Sequence, residues 1–125
     1  MSPFTILIVD DDELNLKLLA YILTDGGYTV REAVSGAKAL AIVKVENPDL
    51  MLLDIMMPVM DGFEVLARLK GDPSTRDVPV VILTALTDEA SRQHGLELGA
   101  RRVLHKPVAR VELLQLVREM LPPMP

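Results

Sequence analysis

Side chains suited to phosphoryl chemistry follow four apolar segments of the sequence: Asp10 and Asp11, Asp54, Thr84, and Lys106. Clustered carboxylates repel one another, which raises their proton affinity unless a cation neutralises them. Mg²⁺ is suited to this role, because it prefers oxygen ligands and keeps coordination positions for water and a phosphate oxygen. A lysine and a hydroxyl opposite would stabilise charge on the remaining phosphoryl oxygens. If the fold brings these residues together, they predict a magnesium-dependent phosphoryl site.

The elements that must position these residues alternate between strands and helices, five times over. Each short apolar or β-branched run is followed by a segment with apolar residues at helical spacing, and Gly or Pro marks most of the ends. The predicted strands are Thr5 to Val9, Tyr28 to Glu32, Leu50 to Leu53, Val80 to Leu83 and Arg102 to His105. This alternation predicts a doubly wound α/β domain, with a parallel sheet covered by helices on both faces. The carboxyl ends of parallel strands lie along one edge, where such sheets bind ligands.

The helices differ in how clearly the sequence marks their buried face. Apolar residues at helical spacing are Leu14, Leu18, Leu19, Ile22 and Leu23 in the first helix, and Phe63, Leu66 and Ala67 in the third. Asp12 is predicted to cap the first helix, and Asp61 with Glu64 resembles a capping box for the third. The fourth helix has the weakest pattern, because His94 interrupts its apolar face.

Length and composition limit the function classes. A chain of 125 residues with 25% charged residues predicts one globular domain, residues 1–125, and the proline-rich residues 122–125 resemble the start of a linker. The net charge of −5 disfavours direct binding to nucleic acid or to an anionic membrane. The absence of cysteine excludes disulfides and thiolate chemistry. No apolar run has membrane length, so a cytoplasmic location is the default expectation.

Each of these residues also has an interpretation without chemistry. Asp54 alone is more often a solvated strand-end residue than a nucleophile, and Lys106 alone is usually solvated. Thr84 alone is usually a β-branched strand residue. The two histidines, His94 and His105, are expected to be structural or surface residues rather than ligands. The coincidence of suited residues at four strand ends is what favours the chemical interpretation.

With these residues placed, the chain resembles a bacterial response-regulator receiver domain over nearly its full length. The matching segments are Ile6-Leu7-Ile8-Val9-Asp10-Asp11, Leu53-Asp54 with Met57-Pro58, Met60-Asp61-Gly62, Val81-Ile82-Leu83-Thr84-Ala85, and Gly99-Ala100 followed by Leu104 and Lys106-Pro107. The resemblance implies a flavodoxin-like five-stranded parallel sheet of order 2-1-3-4-5 with five helices.

The resemblance also implies a role for each acidic residue. Asp54 would accept a phosphoryl group from the phosphohistidine of a sensor histidine kinase or a histidine phosphotransfer protein. Asp11 and Asp54 would bind Mg²⁺, with Asp10 acting mainly through water and the backbone carbonyl of Met56 as a further ligand.

Two further residues of the site follow from the same resemblance. Lys106 would pair with a phosphoryl oxygen, and the Lys106-Pro107 peptide would be cis. Thr84 would donate its hydroxyl to the phosphoryl group and draw the following loop inward. Such a local change can bias a surface elsewhere between two states.

Three positions bear on signalling. Val103 stands where the family usually has tyrosine or phenylalanine, so the ring that commonly reports phosphorylation is absent, and the loop Ala85 to Asp88 is expected to act instead. Met56 and Leu86 would flank the phosphoryl group, and neither has a group that can orient an attacking water. Slow self-dephosphorylation is therefore expected.

Two other protein classes compete with the receiver interpretation. A phosphohydrolase of the haloacid-dehalogenase type needs a second acid two residues after the nucleophile, where this chain has Met56. A degenerate receiver serving only as an interaction module is disfavoured by the complete set of acids, threonine and lysine. The expected protein is a phosphoacceptor and not a turnover enzyme. An effector domain or downstream partner and a homodimer through the fourth and fifth helices stay open.

Overall fold

A five-stranded parallel sheet with the strand order β2-β1-β3-β4-β5 forms the centre of the computed structural model, which describes residues 4–122. The strands are β1 (Thr5–Val9), β2 (Thr29–Ala33), β3 (Leu50–Asp54), β4 (Val80–Thr84) and β5 (Arg102–His105). The predicted doubly wound fold and its strand order are thus confirmed. Against the predicted bounds, β2 starts and ends one residue later, and β3 and β4 each extend by one residue to include the polar side chain at their end.

Five helices connect the strands: α1 (Glu13–Asp25), α2 (Gly36–Val45), α3 (Gly62–Gly71), α4 (Glu89–Glu97) and α5 (Arg110–Met120). Asp12 caps α1 as predicted, since its carboxylate accepts hydrogen bonds from the amides of Leu14 and Asn15. Asp61 caps α3 by accepting from the Glu64 amide, while the Glu64 carboxylate forms an ion pair with Arg68. Within residues 4–122, no helix has both the length and the apolar composition required to cross a bilayer.

The helices cover both faces of the sheet, so two hydrophobic cores form. Side chains alternate between the faces of a strand, which sends Ile6 and Ile8 into one core and Leu7 and Val9 into the other. The first core is completed by α1 and α5, and the second mainly by α2 and α3. β3 and β4 are buried along their whole length, and each ends at the carboxyl edge in a buried polar residue, Asp54 and Thr84.

The buried face of two helices differs from the predicted one. Leu14 and Leu18 of α1 are 79% and 56% exposed, and Leu16 is buried instead. At 3.6 residues per turn, Leu14 and Leu18 lie roughly opposite the stripe formed by Leu16, Leu19 and Leu23, which faces the sheet. The prediction that α3 buries Ala67 is also wrong. Ala67 is exposed, and the buried face of α3 is formed by Val65, Leu66 and Leu69.

The fourth helix is the least firmly packed, as its weak apolar pattern predicts. Gly95 is its one fully buried residue, and a Cβ atom there would lie 2.6 Å from the Ile82 side chain. His94 is exposed but its ring lies edge-on to Phe63, with 4.5 Å between the ring centroids. The backbone of α4 therefore lies directly against β4, and few side chains anchor it.

Candidate functional site

Three carboxylates converge at the carboxyl ends of the two central strands. Val9 and Leu53 are partners in the register of β1 and β3, so Asp10 and Asp54 leave the sheet side by side. One oxygen from each of Asp10, Asp11 and Asp54 lies within 4.8 Å of the others. Asp10 and Asp54 are buried, whereas Asp11 is exposed. The site thus has a buried floor and an open side facing solvent.

Lys106 brings a positive charge to these carboxylates from the other half of the sheet. Its Nζ atom lies 2.7 Å from Oδ2 of Asp10 and 3.3 Å from Oδ1 of Asp54. The backbone holds this side chain in place, since the Lys106 amide donates a hydrogen bond to the Thr84 carbonyl at 2.7 Å. The Lys106-Pro107 peptide bond is cis, as the resemblance implies.

The ionised form of Asp10 is stabilised by several hydrogen bonds. Burial alone would raise its pKa, but hydrogen bonds from Lys106, the Asp12 amide and the Asn15 side chain outweigh burial, and the pKa is lowered. Sequence reasoning missed Asn15, whose amide nitrogen donates to Oδ2 of Asp10. Its place in the first turn of α1, directly after the acidic run, is the sequence signal that could have identified it.

The pKa values of Asp54 and Lys106 both depart from their usual range, for different reasons. Burial, reinforced by the negative charge of Asp10, raises the pKa of Asp54 although Lys106 opposes this effect. Burial would lower the pKa of Lys106, but its hydrogen bond to Asp10 and the charge of Asp54 outweigh burial and raise the pKa. Of the two buried acids, Asp54 is therefore the one whose ionised form is less stabilised, and a further cation would compensate for its burial.

Thr84 lies at the end of β4, one residue beyond Leu83, which pairs with Asp54 across the sheet. Its side chain is buried, and Oγ1 accepts a hydrogen bond from the Leu86 amide at 3.0 Å. The hydroxyl group thereby fixes the start of the irregular segment 85–88 that leads into α4.

The backbone of the β3–α3 loop packs closely against Asp54. A Cβ atom at Gly62 would lie 2.3 Å from the Asp54 carbonyl oxygen, so only glycine fits there. Val59 in the same loop has a φ of 68°, in the left-handed region that β-branched residues rarely adopt. The sequence indicates Gly62 only as part of the Met60-Asp61-Gly62 motif, and the strain at Val59 gives no signal in the residue pattern.

The residues expected to tune signalling lie around this site. Met56 and Leu86 both line an open cavity of about 430 Å³ beside the β3–α3 loop, together with Met57 and Phe63. Val103 is half-buried in β5 and lines a second cavity of about 290 Å³, which Thr84 also lines. His105 also lines this second cavity, and no phenylalanine, tyrosine or tryptophan does.

The side chains present fit a hard divalent cation. Three carboxylates face one ammonium group, so the site carries excess negative charge, and carboxylate oxygens are the donors that Mg²⁺ prefers. Within the part of the chain that the structure describes, this is the one carboxylate and histidine group with such a spacing. The arrangement can hold a cation, present a carboxylate as nucleophile, and place a lysine beside the developing charge.

Comparisons with known proteins agree with this arrangement. The model of the family described as the response regulator receiver domain matches residues 6–118. The response regulator PleD of Caulobacter vibrioides is 49% identical over 115 residues, which are 92% of this chain and 25% of that protein. The chain thus spans about a quarter of the length of that relative.

Solved structures give the same result. The chemotaxis protein CheY4 of Vibrio cholerae superposes with a TM-score of 0.89 at 31% identity, covering 94% of this chain and 98% of that one. The CheX-CheY-BeF3-Mg complex of Borrelia burgdorferi superposes with a TM-score of 0.86 at 33% identity, covering 94% of this chain and 89% of that one. The likeness therefore extends over almost the whole domain in both cases.

Proposed function

Because the chain belongs to the response regulator receiver domain family, a signalling family of two-component systems, we propose that Asp54 is its phosphoacceptor. The observation that carries this proposal is the position of the Asp54 carboxylate, buried beside Asp10 and Asp11 and 3.3 Å from Lys106. As a receiver, the domain is a signalling module rather than a turnover enzyme. The chemistry proposed is limited to its own phosphorylation and dephosphorylation.

In the proposed reaction, a carboxylate oxygen of Asp54 attacks the phosphorus of a phosphohistidine on a sensor kinase or a phosphotransfer protein. The P–N bond breaks and its electron pair stays on the imidazole, so an acyl phosphate forms on Asp54. The imidazole is the leaving group and takes up a proton from solvent. Burial and the negative charge of Asp10 raise the pKa of Asp54, which favours its reactivity as a nucleophile once ionised.

The neighbouring residues support this transfer. Asp10, Asp11 and Asp54 would hold Mg²⁺ with the Met56 carbonyl, and Mg²⁺ when bound would neutralise negative charge and bind a phosphoryl oxygen. Lys106 donates to another phosphoryl oxygen, since its Nζ atom already lies within contact distance of Asp54. Thr84 donates its hydroxyl to the phosphoryl group in place of its present role as acceptor for Leu86.

Intact mass after incubation with acetyl phosphate tests the proposal. Wild type with Mg²⁺ is expected to gain one phosphoryl group, and neither wild type in chelator nor Asp54→Asn should do so. Asp49→Asn is the matched control, because Asp49 is an exposed aspartate whose carboxylate accepts from the Thr5 amide. A gain of mass in Asp54→Asn equal to that of wild type would refute the assignment. An absence of any gain in wild type would favour an interaction module instead.

We also propose that the phosphoryl group on Asp54 is long-lived. Met56 is exposed and Leu86 half-buried at the same cavity, and neither side chain can orient or deprotonate a water. Met56→Asn and Leu86→Glu are expected to speed loss of the phosphoryl group, by roughly tenfold or more if they supply general acid–base assistance. The decay of the phosphorylated fraction by intact mass measures this, and unchanged rates in both variants would end the idea.

The partners follow from the same chemistry. PleD is about four times as long as the segment that it shares with this chain, so a receiver of this kind can be joined to further domains. We propose that the donor is a histidine-phosphorylated protein and that the output is a linked effector domain or a downstream protein. Phosphotransfer from a purified phosphorylated histidine kinase to wild type, but not to Asp54→Asn, would support the donor class.

A further inference from the structure

Five methionines lie in the part of the chain that the structure describes, and they differ widely in exposure. Met56 is 60% exposed, whereas Met57 is 8% exposed and Met51 is fully buried. Met60 and Met120 are half-buried. Of these five side chains, Met56 is therefore the one that solvent reaches freely.

A tight turn directly after β3 produces this difference. The Met57 amide donates a hydrogen bond to the Ile55 carbonyl at 3.0 Å, and the Gly62 amide donates to the same carbonyl at 2.8 Å. Ile55 and Met57 are both buried, while Met56 between them is exposed. The exposure of Met56 thus follows from the path of the backbone beside the phosphoacceptor.

Met56 also lies where a change of polarity would affect the phosphoryl group. It is two residues beyond Asp54 and lines the open cavity of about 430 Å³ beside the β3–α3 loop. Asp61 is the one charged residue in this lining, and its Oδ1 atom accepts from the Glu64 amide as the cap of α3. This inference rests on the proposed function, in which Met56 and Leu86 flank the phosphoryl group and neither side chain orients a water.

The thioether of an exposed methionine reacts with hydrogen peroxide. A sulfur lone pair forms a bond to one peroxide oxygen, the O–O bond breaks, and the proton of the transferred oxygen passes to the departing hydroxide, which leaves as water. The product is methionine sulfoxide, which is polar, and its oxygen accepts hydrogen bonds. Only the side-chain sulfur changes, so the Met56 carbonyl stays available as a magnesium ligand.

We propose that Met56 is an oxidation site through which peroxide shortens the lifetime of the phosphoryl group on Asp54, because the sulfoxide oxygen of oxidised Met56 holds an attacking water. A water that is already held in place loses less freedom on reaching the phosphorus, so hydrolysis is faster. A sulfoxide is too weak a base to take the proton of this water. The expected acceleration is therefore about threefold to tenfold, below the effect of a general base. Methionine sulfoxide reductases reverse the change, since they restore the thioether.

Peptide mapping by mass spectrometry after limited treatment with hydrogen peroxide tests the site of oxidation. In the folded domain, Met56 should be oxidised before Met51, Met57 and Met60, because their burial protects them. In urea the four methionines should be oxidised at similar rates, since the order arises from the fold. Oxidation of Met57 as fast as that of Met56 in the folded domain would overturn the proposal.

The decay of the phosphorylated fraction, followed by intact mass, tests the effect on lifetime. Wild type is treated with peroxide, desalted, and then phosphorylated with acetyl phosphate and Mg²⁺. It should lose the phosphoryl group about threefold to tenfold faster than untreated wild type. Reduction by methionine sulfoxide reductases A and B with a dithiol, which becomes a disulfide as the oxygen leaves in water, should restore the slow decay.

Two variants assign the effect to one methionine. Met56→Leu keeps every other methionine, and its decay should be the same with and without peroxide. Met120→Leu is the matched control at the end of α5, and it should respond to peroxide as wild type does. An unchanged or slower decay in oxidised wild type, or an equal acceleration in Met56→Leu, would overturn this proposal alone. Failure of untreated wild type to gain a phosphoryl group would overturn the proposed function, and the effect on lifetime with it.

Discussion

Val59 offers a sharp test of how the β3–α3 loop is built. Its φ of 68° lies in the left-handed region, and its side chain is fully exposed at 107%, so it makes no buried contact that could compensate the strain. An L-residue with a Cβ atom is disfavoured there by about 1–2 kcal/mol, and β-branching places valine at the upper end. Glycine removes this strain, but the variant loses about 0.4–1 kcal/mol of stability because glycine gives the unfolded chain more conformational freedom. Val59→Gly is therefore expected to stabilise the domain by about 0.5–1 kcal/mol.

The measurement is urea unfolding followed by circular dichroism, together with thermal unfolding. For a domain of this size, the expected gain corresponds to a rise of about 2–4 °C in the melting temperature. Val45→Gly is the matched control, because Val45 is also exposed, at 87%, but ends the right-handed helix α2. With no strain to relieve, that variant is expected to lose about 0.4–1 kcal/mol of stability, because glycine gives the unfolded chain more conformational freedom.

The two variants should thus change stability in opposite directions. Val59→Asn should also stabilise, since asparagine tolerates the left-handed conformation and retains more order in the unfolded state than glycine. Phosphorylation by acetyl phosphate should stay unchanged in all three variants, because neither side chain contributes a group to the site. A loss of stability in Val59→Gly as large as that in Val45→Gly would refute the reasoning from backbone strain.

Three further outcomes follow from the site and its surroundings. Gly62→Ala is expected to lower the free energy of unfolding by about 1–3 kcal/mol or more and to impair phosphorylation, because its Cβ atom would lie 2.3 Å from the Asp54 carbonyl oxygen. Gly71→Ala is the control, since a Cβ atom there meets no atom within 4 Å. Equal urea midpoints for the two variants would contradict this prediction. Burial and a neighbouring carboxylate raise the pKa of Asp54 in the folded domain above its pKa in the unfolded chain. As the pH rises from the lower of these two pKa values to the higher, ionisation of Asp54 therefore lowers the free energy of unfolding. Asp54→Asn removes this penalty and should raise the urea midpoint at pH 7 in chelator, and a lower midpoint would count against the assigned shift. Mg²⁺ should raise the melting temperature of wild type, less so for Asp11→Asn and equally for Glu13→Gln; an undiminished effect in Asp11→Asn would remove Asp11 from the ligand set.

The alternation of strands and helices was readable because the three central strands, β1, β3 and β4, are short, apolar and bounded by a polar residue or a turn. Leu50–Asp54 and Val80–Thr84 are buried along their whole length, and such strands read as continuous apolar runs. A parallel sheet brings the residues after its strands to one edge. Asp10, Asp54 and Lys106 could therefore be predicted to meet although 96 residues separate the first from the last.

The orientation of the helices was less accessible. Helical spacing of Leu14 and Leu18 defines a face of α1, but the sheet receives the face formed by Leu16, Leu19 and Leu23. Leucines lie on both faces of the helix. The spacing of residues gives their angle around the helix axis, but it does not tell which face meets the core. The same ambiguity produced the wrong prediction for Ala67.

The sequence by itself determined which residues could do chemistry and at which edge of the sheet they would lie, because residue type and strand periodicity are local properties. Only the tertiary structure decided that Lys106 lies closer to Asp10 than to Asp54, that Asn15 joins them, and that Leu86 lies between two cavities. These are distances and spaces between segments remote in sequence, and they depend on how all the elements pack at once. Burial, together with the charge of Asp10, raises the pKa of Asp54, and Lys106 opposes this rise. Lys106 lies closer to Asp10 than to Asp54 by less than 1 Å, a difference that no residue pattern encodes.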